Sequence, residues 1–266
     1  MPGNPIADNE TPAVGAGYFG KMPARGDFLT HGLSRDFVDP WDDWVQLALE
    51  ESQNRFSDQW LEIYLTSPVW HFAIAPAICG STSWAGVLMP SVDAVGRYFP
   101  LTIAVPLHRR TNILTVFSSS EAWFAELEQL ARSCLDDDFE LDDFNARVRG
   151  LSAPDGALVP ERNDVLDEEI VRLSNAWRYG LGSMSHLSLD CPSLLHEMLE
   201  RLVYSYSFWG TPGSTRVTPT YLLCQGLPPP QGFAAMLDGN WQKWGWDDRQ
   251  ILEPEHLAEI MNPVGD

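Results

Sequence analysis

With 266 residues, the chain is long enough for one large domain or one domain with a smaller appendage. Seventeen Lys plus Arg against 37 Asp plus Glu leave a net charge of −20. That charge repels phosphate backbones and anionic lipid, which argues against nucleic acid and membrane surfaces as partners. The 44% apolar content, with 11 Trp and 12 Phe, is that of a folded protein rather than a disordered one, and some of those rings are available for an interface.

In chain order, residues 1–13 are rich in Pro, Gly and acidic side chains and predict a flexible tail. They carry neither a basic start nor an apolar stretch, so no secretory leader is expected and the protein is placed in the cytoplasm. Gly17–Gly20 predicts a short strand entering a loop at Met22-Pro23. A helix is predicted from Asp39, as N-cap, with Pro40 at the first helical position. Trp41, Trp44, Val45 and Ala48 follow at helical spacing as one apolar stripe. Asp58–Tyr64 predicts a second, shorter helix with Trp60 and Tyr64 one turn apart.

Ile63–Val92 contains no Asp, Glu, Lys or Arg, but Pro68, Pro76, Gly80 and Pro90 cut it into pieces too short to span a membrane. Val69–Ala75, Trp84–Met89 and Leu101–Leu107 predict strands buried on both faces. The connection between the last two is too short for a crossover helix, so they should pair antiparallel. Ser118–Cys134 predicts a serine-capped helix with Trp123, Leu127, Leu130, Ala131 and Cys134 on one face. The acidic run Asp136–Asp143 reads as a solvated helix end or loop, lacking the Gly and Glu of a calcium loop. Further on, the pattern predicts a helix at Pro192–Leu202, strands at Val203–Trp209 and Thr220–Cys224, and a short helix at Gln231–Leu237. The predicted organisation is therefore a tail at 1–13, an N-terminal α/β region at 14–135, and a second half at 136–240 of the same or a closely packed unit. A Trp-rich, then acidic, tail occupies 241–266.

Signatures of chemistry are sparse. Gly15–Lys21 has the spacing of a phosphate-binding loop, but Met22 stands where a hydroxyl must hold Mg²⁺, and Pro23 and Gly26 follow where a helix should begin. Arg25-Gly26-Asp27 reads as a turn. The sequence holds no G-x-S-x-G, H-E-x-x-H or S-x-x-K motif. Its six His and four Cys show no metal-ligand spacing, and the cysteines are expected as free thiols. No cofactor and no metal are predicted.

The densest polar loop is Pro90–Pro100, between two apolar strands, with Ser91, Asp93 and Arg97. Two readings remain open at this point. In one, an Asp93–Arg97 pair and a turn at Gly96 simply hold the loop. In the other, Arg25, Asp27, Asp93 and Arg97 converge on a recognition site through charge-assisted hydrogen bonds.

Three segments together carry a family resemblance. Gly17–Phe28 resembles a G-x-x-G-K-x-P-x-x-G-D-F opening, and Pro68–Phe72 a P-V-W-x-F run. Trp84–Leu101 resembles W-x-G-V-x-x-P-S-x-D-x-x-G-R-x-F-P-L. Their order, over about Gly17–Leu107, is that of the TagF family associated with type VI secretion; Ser207–Trp209 and Gly226–Pro228 match more loosely. The resemblance implies an α/β fold with a mixed central sheet flanked by helices, in a three-layer α-β-α sandwich. It also implies a non-enzymatic accessory regulator that restrains secretion after translation through a forkhead-associated scaffold protein. Candidate interaction residues are Lys21, Arg25, Asp27, Trp70, Ser91, Asp93 and Arg97. The competing expectations are a nucleotide-binding or hydrolytic protein using Lys21 and the Asp93/Arg97 loop, or a structural part of the secretion machine.

Overall fold

A computed structural model describes residues 15–156, 158 and 187–248. The predicted tail at 1–13 and the acidic end of the chain lie outside the described residues. Seven strands form one sheet: β1 (Gly17–Gly20), β2 (Leu29–His31), β3 (Trp70–Ile74), β4 (Ser83–Met89), β5 (Leu101–Leu107), β6 (Tyr206–Thr211) and β7 (Thr220–Gln225). Their spatial order is β2-β1-β5-β4-β3-β6-β7, and every neighbouring pair is antiparallel. The sheet therefore needs no crossover helix to connect neighbours, and its helices are free to cover the two faces.

One face is covered by α1 (Arg35–Phe56), α2 (Trp60–Leu65) and α7 (Phe233–Asp238). The other carries α3 (Ile113–Ser119), α4 (Glu121–Arg132), α5 (Leu141–Arg149) and α6 (Leu187–Leu202). This is the predicted α-β-α arrangement, on a sheet that is antiparallel throughout where a mixed one was implied, and alternate strand residues feed the two cores. Trp84 and Leu88 of β4 enter the first, while Ala85, Val87 and Met89 enter the second. All seven residues of β4 are buried, as expected for a strand covered on both sides, and β4–β5 pair antiparallel from Ser83↔Leu107 to Met89↔Leu101.

The first core is an aromatic stack centred on Trp41. Its ring packs on Phe37, Trp44, Phe72 and Trp209, at centroid separations of 5.2, 5.0, 4.7 and 5.9 Å. Its indole N–H donates to Thr102 Oγ1 at 2.9 Å, so the one polar atom of the ring is satisfied inside the core. Gly86 is required beneath this stack, because a Cβ there would sit 2.1 Å from the Ile103 carbonyl and 2.7 Å from the Phe72 ring.

Several element boundaries differ from expectation. α1 starts at Arg35 with Ser34 as N-cap, one turn before the predicted Asp39, and Pro40 lies inside it. The earlier start extends the apolar stripe to fully buried Phe37, 4.5 Å from Trp84, which offsets the backbone hydrogen bond that Pro40 cannot make. α6 likewise begins before Pro192, at Leu187. Ser120 occupies the N-cap position of α4 but does not cap it with its hydroxyl, which donates instead to Asp155 O. Phe124 rather than Trp123 is buried on that helix, and the Trp123 indole reaches Ser152 O.

The acidic run becomes the entry to α5, whose Phe144 and Val148 are buried one turn apart while Asp142 and Asp143 sit in its first turn. The strand predicted at Val203–Trp209 is displaced to Tyr206–Thr211, because α6 continues to Leu202. The Trp-rich stretch assigned to a tail packs on the body as far as Trp246. Trp246 donates to Gly232 O at 2.8 Å, and Trp241 meets Trp70 edge to face.

Candidate functional site

β1 ends at Gly20, whose φ of +134° and position against Pro100 leave no room for a side chain; a Cβ would lie 2.1 Å from the Pro100 carbonyl. That close approach delivers Lys21 into the base of the β4–β5 loop. Its Nζ lies 2.8 Å from Asp93 Oδ2, with both side chains buried. Arg97 Nε donates to the same oxygen at 2.6 Å. Asp93 Oδ1 accepts the backbone N–H of Val95 at 3.0 Å and of Arg97 at 2.8 Å, closing the turn at Gly96, which has φ +83°. All four acceptor positions of the carboxylate are thus used. Burial alone would raise the Asp93 pKa, but the Lys21 ammonium, the Arg97 N–H groups and the Val95 N–H together hold it far below the ordinary carboxylate range.

The neighbouring bonds tie three segments into one body. Ser91 Oγ donates to Lys21 O at 2.7 Å, Ala94 N to Arg25 O at 2.9 Å, and an Arg97 terminal nitrogen to Gly26 O. The hydroxyl of fully buried Tyr64 donates to Ser91 O and accepts from Ser91 N, both at 3.0 Å. Burial pushes that phenol's pKa upward, so it stays a neutral donor. Phe28 covers the junction, packing on Phe19 and Phe99 at 5.1 and 4.5 Å, with Lys21 Nζ 5.7 Å from its ring centre.

Of the candidate residues, Lys21, Ser91, Asp93 and Arg97 share this network. Arg25 contributes its carbonyl and leaves its side chain exposed beside exposed Asp27. Convergence of all four charged side chains, one of the two sequence readings, is therefore not observed. Lys21 rather than Arg25 or Asp27 meets Asp93. Trp70 stands apart: it is 2% exposed in the core, with its indole donating to Met236 O at 3.1 Å. Sequence reasoning missed Tyr64, which sits 27 positions from its partner Ser91 with no pattern linking them.

Chemically, the arrangement ties Lys21, Asp93 and Arg97 to one another. Lys21 Nζ is consumed by Asp93, and the chain after it makes a turn from Arg25 N to Met22 O, with α1 starting only at Arg35. The stacked backbone N–H groups of a phosphate loop do not form there. No group of three or more His, Cys, Asp or Glu among the described residues is placed to hold a metal. No helix among them is long and apolar enough to cross a membrane.

These features define a three-layer α-β-α protein built on an antiparallel sheet, with the β1–β2 and β4–β5 loops clasped together through Lys21, Asp93 and Arg97. A family model described as the TagF N-terminal domain, type VI secretion system-associated, matches residues 17–151. The crystal structure of PA0076 from Pseudomonas aeruginosa PAO1 is similar along nearly the whole chain: 33% identity and TM-score 0.74, over 90% of this chain and 98% of that one. No curated protein sequence matches significantly. The chain belongs to the TagF family of proteins associated with type VI secretion.

Proposed function

We propose that the protein is a non-enzymatic accessory regulator, acting in the cytoplasm, that restrains type VI secretion after translation by binding a forkhead-associated scaffold protein. The observation that carries this reading is the buried Lys21–Asp93 pair at 2.8 Å. It commits the motif's only lysine to joining two loops, and it leaves Arg25, Asp27, Phe28 and Val95 exposed on a stiff platform. A preorganised surface of this kind suits docking, because little conformational freedom is lost when a partner binds.

Deletion of the protein should raise effector release. Native-level affinity capture of the tagged chain should recover a forkhead-associated scaffold, and Arg25→Glu with Val95→Asp should lose that capture while leaving the thermal midpoint unchanged. Unchanged release in the deletion strain, together with no secretion component captured, would sink the proposal. Mg²⁺-dependent ATP binding by calorimetry, abolished in Lys21→Met, would favour the nucleotide-binding alternative instead.

A further inference from the structure

The sheet's far edge is built on different terms. Among the described residues β7 pairs with β6 alone, so alternate residues along it turn their N–H and C=O groups away from the strands described. Folded proteins blunt such edges by keeping them short or by placing Lys, Pro or a bulge in them. β2, at the opposite edge, follows that rule with three residues. β7 does not: its six residues, Thr-Tyr-Leu-Leu-Cys-Gln, carry no charge and no proline. Two large side chains on it are open to solvent, Tyr221 at 68% and Leu223 at 46% exposure. They are not loose, because the Tyr221 ring stacks on Phe208 at 5.4 Å and meets Phe117 edge to face.

A groove of about 1080 Å³ runs beside this strand. Phe117 and Phe124 belong to its wall. Glu121, Asp247 and Asp248 supply carboxylates beside Glu128, which Arg132 bridges at 2.8 Å. No Lys or Arg among the described residues lines the groove itself. The His71 ring lies flat on Phe124, with Nε2 3.0 Å from Glu128. A hydrogen bond from His71, helped by Arg132 and opposed by burial, keeps the Glu128 pKa low, so that group is anionic at neutral pH. The net charge of −20 adds a long-range field of the same sign.

We propose that β7 and this groove take an extended segment of a partner protein by strand addition, a segment in which apolar residues alternate with Lys or Arg. Main-chain hydrogen bonds to the outward groups of β7 supply affinity, and a strand of six residues offers room for a segment of about five or six. The apolar side chains extend the Tyr221–Leu223 surface. Long basic side chains lay their stems on the aromatic wall and bring their charged heads to the carboxylates. A second copy of this chain fits poorly, since pairing two β7 edges would bring two sets of the same carboxylates together.

The test uses the full chain and a fluorescein-labelled seven-residue peptide alternating valine with lysine, against the same peptide with glutamate for lysine. The lysine peptide should bind at least tenfold more tightly by anisotropy, weaken with added salt, and slow amide hydrogen exchange in residues 220–225. The double variant Tyr221→Lys, Leu223→Lys changes two exposed positions, so its thermal midpoint should hold while binding falls at least tenfold. Equal binding of the two peptides, no protection of 220–225, or no effect of the double variant would each overturn the proposal. So would a dimer of the free protein that the double variant dissociates, which would assign the edge to a second copy. None of these outcomes bears on the regulator reading, which rests on the opposite end of the sheet.

Discussion

The two ends of the sheet solve opposite problems. At the β1–β2 end, charged side chains are buried: Asp93 is 2% exposed and bonded on every side. At the β7 end, apolar side chains are exposed, and among the described residues nothing pairs with the outer main-chain groups. A buried ion pair contributes little net stability over an apolar substitute, because desolvation offsets its attraction, but an incomplete one is severely penalised. Such a pair therefore selects one loop conformation. An open edge imposes no conformation and costs little while water satisfies it. The densest polar motif is thus spent on tying two loops together, whereas a plain uncharged strand leaves its edge and two large side chains exposed.

The largest effect is expected where both ends rest on common ground. Trp41→Ala removes the centre of the aromatic stack and should cost about 3–5 kcal/mol, loosening both ends together in denaturant melts and hydrogen exchange. If exchange rose at only one end, the sheet would not be the shared support described here.

Next comes Asp93→Asn, which leaves Lys21 and Arg97 without their common acceptor. The thermal midpoint should fall, and exchange should quicken at 21–31 and 90–99 while 206–225 stays protected. The sign of the acid response follows from the depressed carboxyl. Its stabilising contribution is complete above the unfolded value of about 3.9 and is lost as pH falls below it, towards the folded value. Acid melts of the wild type should therefore show a decline below about pH 4 that is shallower in the Asn variant.

Gly20→Ala sharpens the contrast from the backbone side. The added Cβ meets the Pro100 carbonyl at a φ suited to glycine, so a loss of about 1–3 kcal/mol is expected in urea melts. The smallest effect belongs to the open edge: Tyr221→Ser and Leu223→Ser should each change stability within about 0.5 kcal/mol. A larger loss would mean that this edge is part of the core.

Much of the fold was legible because its signals are local. The uncharged run from Ile63 to Val92, broken by prolines, marked out the central strands, and the Trp41–Ala48 spacing marked the helix covering them. The start of α1 was misplaced because Asp39-Pro40 has the local form of a helix entry, while the burial of Phe37 that favours an earlier start depends on Trp84, 47 positions away. In the site, the Asp93–Arg97 pair could be read from its i, i+4 spacing; the Lys21 partner and the Tyr64 hydroxyl could not.

The two-sided burial of the sheet, the family and the composition of the motif loops follow from residue order alone, since periodicity and motif spacing are properties of neighbouring residues. That Lys21 meets Asp93, that Trp70, Trp241 and Trp246 are packing residues, and that β7 is an edge among the described strands came from the folded chain. Each of these depends on contacts between segments far apart along the chain, which local residue chemistry constrains but does not specify.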